Sequence, residues 1–176
     1  MEPVRIMGPP SEQWDVVLRL LGTQNAAPLF IDEIAPAIWE ACSRYGIDAV
    51  GAIAQAARET NWGRFTGTVP ASFFNVAGIK IHPDNQKLKP GVTDGDNLLA
   101  HDQFGSWWQG ALAQAHHLRA YTGWGVPERD VAHARYWAVL GGHRITDFEQ
   151  LSGRWAGSGY GEGIASIARR LVEVGL

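Results

Sequence analysis

The sequence predicts a mainly α-helical fold: a helical lobe, a small loop-rich or β lobe, and a cleft between them. Three observations lead there. Apolar residues repeat at helical spacing in five or six separate segments. Between those segments, residues 64–103 are rich in Gly, Pro, Asn, Asp and Thr with short apolar pieces, which reads as loops with a short hairpin. The length of 176 residues, 45% of them hydrophobic and 19% charged, suits one domain with a proper core. Residues 1–176 are therefore expected to form a single domain, with residues 1–10 as an extended lead-in.

Pro9 and Pro10 end the lead-in, and Ser11 is expected to cap a short helix. Its stripe is Trp14, Val17, Leu18 and Leu21, and Gly22 stops it. Residues 23–28 read as a loop. A longer amphipathic helix over 30–45 sets Ile31, Ile34, Ile38, Cys42 and Tyr45 on one side and ends at Gly46. Pro36 falls inside that pattern, so it either kinks the helix or marks a later start. The next helix, 48–63, opens at Asp48, a good N-cap, and closes near Gly63, a good C-cap. Val50, Ile53, Ala54 and Ala57 repeat along it, while Ala52 and Ala56 fill most of the opposite side. A helix so small and so apolar all round belongs at the centre of the molecule. Helix returns over 104–121, with Ser106 as a cap and Trp107, Ala111, Leu112, Ala115, Leu118 and Tyr121 as its stripe. Another runs over about 131–140, and the last, about 160–174, buries Ile164, Ile167, Ala168 and Leu171.

Composition narrows the classes of function. A net charge of -3 and a pI near 6.0 give no basic footprint for nucleic acid or an anionic membrane. No apolar run approaches the ~20 residues of a membrane span. Residues 1–10 lack a basic segment followed by an apolar core, so no secretory signal peptide is expected there. The lone Cys42 excludes an internal disulfide framework and reads as a buried, inert thiol. His116 and His117 point about 100° apart on one helix. His82, His101, His133 and His143 show no ligand spacing, so neither a metal site nor a cofactor is expected. No Gly-x-Ser-x-Gly elbow supports Ser-His-Asp catalysis. Eight Trp and 21 Gly are the unusual counts. Trp meets flat sugar faces but also fills cores, and Gly suits tight loops and close helix approach.

The chemistry gathers at the end of the central helix, where Gln55, Arg58 and Glu59 are its polar residues. The negative end of the helix dipole, and desolvation by Trp62 and neighbouring aromatics, both disfavour a charged Glu59, as a general acid requires. A surface pairing of Glu59 with Arg58 or Arg64 is the plainer alternative.

The run from Ala54 to Gly63, AQAARETNWG, resembles the AQAALETGWG signature of the glucosaminidase domain, glycoside hydrolase family 73. Members are peptidoglycan hydrolases on a lysozyme-like scaffold. Phe74-Asn75-Val76-Ala77-Gly78-Ile79-Lys80 is similar to that family's NNLFGIK segment, and Phe104 through Tyr121 to the helix that follows it. The stretch from Gly153 to Ile164 resembles its YATDPNYGEKI motif, and Ile6-Met7-Gly8-Pro9 the lead-in of a bacterial subgroup. Together these cover roughly residues 6–174. The resemblance implies a lysozyme-like fold, Glu59 as general acid, and peptidoglycan glycan strands as substrate, cleaved after N-acetylglucosamine. It implies Phe74, Asn75, Trp155 and Tyr160 as sugar contacts, although Tyr160 equally suits a staple for the last helix. Trp62 either walls off Glu59 or touches a sugar. Two departures stand out. The family's first Tyr is Trp155 here, able to stack but without a hydroxyl, and its Asp-Pro pair is replaced by Gly157-Ser158-Gly159. Residues 130–147 look like an addition.

Glycoside hydrolysis uses one carboxyl to protonate the leaving oxygen and a second group to attack or to activate water. For the second group the loop lobe offers Asp84, Asp94, Asp96 and Asp102, and the choice falls on Asp94 or Asp96 in the Thr93-Asp94-Gly95-Asp96 turn. A turn carboxylate capping its own backbone, a calcium ligand without the rest of its loop, and a substrate 2-acetamido group standing in for the protein are the competing readings. The expected partner is the glycan strand alone, with no nucleic acid, no membrane insertion and a monomeric state. Without a leader the chain would act on the wall as a phage lysin, a virion-associated enzyme, an injected effector or an excised domain. A muramidase or lytic transglycosylase on the same scaffold, or a wall-binding module without turnover, are the alternatives.

Overall fold

The computed structural model describes residues 2–81 and 98–172. It is mainly helical, as the sequence led us to expect. Among the described residues the helices are α1 (Trp14–Thr23), α2 (Ala35–Tyr45), α3 (Ala49–Thr60), α4 (Trp107–Tyr121), α5 (Tyr136–Val139) and α6 (Tyr160–Arg170). Pairing of extended chain among the described residues is confined to isolated bridges, one of them Lys80 with His101, where a hairpin was expected.

α3 is the centre. Of its 12 residues, all but Arg58 and Glu59 are buried. α2 and α6 pack against it, and a 3-10 turn (Phe148–Leu151) closes one side. Gly51 permits that closure: a Cβ there would lie 2.1 Å from a ring carbon of Phe148. The helix starts as predicted, with the Asp48 side chain accepting from Val50 N–H at 3.0 Å. Burial raises the Asp48 pKa, opposed by the backbone N–H groups it accepts from. The lead-in is a strap along this core. Ile6 N–H donates to Thr146 O and its carbonyl accepts from Asp48 N–H, both at 2.9 Å, joining the start of α3 to the segment before α6.

Several boundaries differ from expectation, each for a local reason. Ser11 does not cap α1, which begins at Trp14 behind Gln13; its N–H donates to Asp48 Oδ1 at 3.1 Å and ties the lead-in to α3. α1 also runs past Gly22 to Thr23. The 30–45 segment opens with a π-helical turn (Phe30–Ile34), because Pro36 has no N–H to give and its ring excludes the carbonyl four residues back. α3 ends at Thr60 rather than Gly63, since Asn61 already takes the left-handed conformation at φ 48°. α4 starts at Trp107, capped by Ser106 as predicted. The 131–140 helix shrinks to the four residues of α5, preceded by a 3-10 turn (Glu128–Asp130). α6 stops at Arg170, well before position 174.

Candidate active site

Glu59 stands on the last turn of α3, where the buried helix meets solvent. Two adjoining hollows of about 180 and 220 Å³ meet at Glu59, Gly78 and His101. Lys80, His117, Tyr121, Arg135, Arg154 and Trp155 wall the first; Phe65, Thr68, Val69 and Asn75 wall the second. Glu59 is the one carboxylate among the described residues that line them.

The loop opposite Glu59 owes its shape to Asn75, which is 2% exposed. Its Oδ1 accepts from Ile79 N–H at 2.9 Å, while its Nδ2 donates to Ile79 O at 2.8 Å and Asp102 O at 2.9 Å. One amide thus closes the turn and pins it to the segment beyond. The turn brings Gly78, at φ +60°, so near that a Cβ would stand 3.0 Å from Glu59 Oε2. Trp155 clamps the loop from the C-terminal side, its indole N–H donating to Ala77 O at 3.2 Å and its ring against Tyr121 at 5.4 Å.

Glu59 is held from beneath. Its Oε1 accepts the hydroxyl of Tyr160, the first residue of α6, and the Tyr160 oxygen accepts from Gln55 Nε2 at 3.0 Å. Burial, then the neighbouring Glu59 charge, push the phenol pKa well above its ordinary value, so it keeps its proton. The Arg58 guanidinium lies over the Tyr160 ring, 5.5 Å from its centroid, and Arg64 donates to the carbonyls of Asn25 and Asn61. Both arginines proposed as surface partners for Glu59 therefore have other engagements.

The other sequence candidates divide. Trp155 and Asn75 line the hollows. Phe74 packs edge-on to Trp107 at 4.9 Å with a left-handed backbone. Trp62 is not among the lining residues; it meets the edge of Phe30, and Arg170 lies over its face. The shielding of Glu59 by Trp62 is thus replaced by an exposed carboxyl with a buried support. Asp84, Asp94 and Asp96 lie outside the described residues. Asp102 contacts His133 Nε2 through Oδ2 at 2.6 Å. Cys42 is buried, which pushes its thiol pKa up. His117 is buried but for an edge at the first hollow, and its pKa falls to about 3 because burial disfavours the cation. Its Nδ1 bonds to Ala113 O at 2.7 Å.

Sequence reasoning missed Tyr121, His117, Arg135 and Arg154 as groove residues, since nothing in their local pattern separates them from a helix face or a loop. Gln55 carried a signal: a polar residue inside an otherwise apolar helix, four positions before Glu59.

The two hollows thus meet at the end of a buried helix, in a mainly helical domain, with a single described carboxylate at their junction. The family described as mannosyl-glycoprotein endo-beta-N-acetylglucosaminidase, the glucosaminidase family, matches residues 35–172, and the chain belongs to it. No curated protein and no solved structure shows a significant match. Membership makes this a glycosidase kind of domain with a glycan substrate. Among the described residues no helix is long and apolar enough to cross a membrane.

Proposed function

We propose that the protein cleaves the β-1,4 glycan strand of bacterial peptidoglycan as an endo-β-N-acetylglucosaminidase, working at the wall as a single-domain monomer with Glu59 as general acid. The carrying observation is the position of Glu59 at the junction of the two hollows. A strand lying across them sets a glycosidic oxygen over the carboxyl and sugars to either side. Glu59 gives its proton to that oxygen as the C1–O bond breaks and the bonding pair leaves with the oxygen. The second group, attacking C1 or activating water, is proposed to be Asp94 or Asp96.

Charge supports the substrate. Lys80, Arg135 and Arg154 line one hollow, while the described lining of the other holds no Lys or Arg. A strand alternating neutral N-acetylglucosamine with acid-bearing N-acetylmuramic acid matches that asymmetry. Trp155 on the same side presents an aromatic surface to a sugar.

The test is digestion of purified peptidoglycan, borohydride reduction of the products and mass spectrometry of the reducing ends, run beside Glu59→Gln. Reduced N-acetylglucosamine ends that vanish in the variant are expected. N-acetylmuramic or anhydro-muramic ends would move the protein to the muramidase or transglycosylase class. No new ends from folded protein on several wall types would overturn the enzyme reading.

A further inference from the structure

Behind Glu59 runs a chain of hydrogen bonds whose direction can be deduced. It begins at the carbonyl of Ala52, inside α3, which accepts from Gln114 of α4 at 2.9 Å. A carbonyl can only accept, so the Gln114 atom facing it is nitrogen. That nitrogen also lies 2.9 Å from the amide of Gln55, so the Gln55 atom it meets is oxygen. The other end of the Gln55 amide is then Nε2, which donates to the Tyr160 oxygen at 3.0 Å. The phenolic proton is left for Glu59 Oε1. Among the described residues Gln114 Oε1 has no hydrogen-bond partner, so the orientation that sends both amide protons into this chain leaves a buried acceptor unsatisfied. Flipping the Gln114 amide would set oxygen against oxygen, and flipping the Gln55 amide would set its nitrogen against the Gln114 nitrogen. Gln55, Gln114 and Tyr160 are all buried, so water does not compete for the direction.

We infer that Tyr160, held by Gln55 and Gln114, is a positioning residue that keeps Glu59 Oε1 as a permanent acceptor and so assigns the transferable proton to Oε2, the oxygen facing Gly78 and the groove. An oxygen that already receives a proton from Tyr160 is a poor place for the carboxyl's own hydrogen. The same bond stabilises the carboxylate left once the proton has gone to the glycosidic oxygen. The inference rests on the reading of Glu59 as general acid, but the hydrogen-bond chain is observable without turnover.

The test is the pH titration of the Glu59 side-chain carboxyl carbon by NMR in the folded protein, its resonance identified by its loss in Glu59→Gln, beside the pH profile of kcat/KM on peptidoglycan. Tyr160→Phe removes a donor to the charged form, so the Glu59 midpoint and the alkaline limb of the profile are both expected to rise, by about one pH unit. Lys80, His101, His117, Tyr121, Arg135 and Arg154 face Glu59 across the groove and Arg58 stands over Tyr160. All are unchanged in the variant, so they do not account for a shift. Incorporation of 3-fluorotyrosine at position 160, a more acidic and nearly isosteric phenol, strengthens the donor and is expected to lower both values. It also covers the case in which Tyr160→Phe does not fold. A Glu59 midpoint that moves by less than about 0.2 unit in these proteins overturns the inference. Should Glu59→Gln retain turnover, the acid reading fails, while the carboxyl titration still decides whether the chain exists.

Discussion

Gly78→Ala separates the site from the fold. The position has φ +60°, where an alanine costs about 1 kcal/mol or slightly more. For a domain of this length that lowers Tm by roughly 2–4 °C. The second effect belongs to the groove. The new Cβ would stand 3.0 Å from Glu59 Oε2, where ordinary contact begins at 3.4 Å, so the carboxyl must give way by a few tenths of an ångström. Oε1 is tied to Tyr160, so the displacement falls on the oxygen assigned the proton. A misplacement of about 1 Å at reacting atoms costs on the order of 100-fold, so a loss of about tenfold in kcat/KM is expected here. Release of reducing ends from peptidoglycan measures the rate, and a thermal melt the stability. Gly141→Ala is the control: φ is +84° there and a Cβ would meet nothing within 4 Å. It should lose a similar Tm and keep its rate. Equal rates in both variants would refute the placement of Oε2 against Gly78.

Three further outcomes follow from burial. Gly51→Ala drives a Cβ to 2.1 Å from the Phe148 ring and should cost about 1–3 kcal/mol in urea unfolding, partly recovered by Phe148→Leu in the same chain; no recovery would place the strain elsewhere. Asn75→Ala orphans Ile79 N–H in a buried turn and removes one donor each from Ile79 O, which keeps the Asp102 N–H, and from the Asp102 carbonyl; it should cost about 2–4 kcal/mol, so a loss below about 1 kcal/mol would deny that this amide shapes the loop. His116 and His117 are held neutral by burial, with pKa values lowered to about 4 and about 3, so the unfolded chain binds more protons below pH ~6.5. Their stability is therefore complete above that pH and is lost as pH falls, by about 2 kcal/mol for each by pH 5. A urea midpoint that stays flat from pH 7 to 5 would refute neutral burial.

What was legible in the sequence was local. Asp48 as a cap, the alanine-rich face of α3 and the cap at Ser106 follow from residue types at fixed spacing, and the structure bears them out. Glu59 at the helix end was legible for the same reason. What was not legible depends on partners far along the chain. Ser11 looks like a cap because its type suits one, yet its N–H is claimed by Asp48, 37 residues away. Trp62 looks like a shield for Glu59 because it is three residues off, but three successive left-handed residues, Asn61, Trp62 and Gly63, turn the chain and set it on Phe30 instead. The 131–140 pattern is apolar enough for a helix, but Tyr136 is fully buried and spends its hydroxyl on Val126 N–H at 2.8 Å, anchoring a loop rather than extending a stripe.

The composition of α3 and the placement of Glu59 are one fact read at two scales. A helix of alanine and glycine buries little apolar area per residue, so it contributes modestly to stability by itself. Its small side chains instead let neighbouring backbones and rings close in, as Phe148 does over Gly51. That closeness brings Tyr160 of α6 to Gln55 within hydrogen-bond reach, while the long Gln114 side chain reaches the Ala52 carbonyl from α4. Larger residues on the face of α3 that meets α6 would hold Tyr160 too far off to support Glu59. Two buried glutamines and a buried tyrosine are costly unless fully paired, and a purely structural core would be more stable with apolar residues of similar size. Their joint presence, all aligned on one carboxylate oxygen, is what the proposed role of Glu59 as general acid would call for.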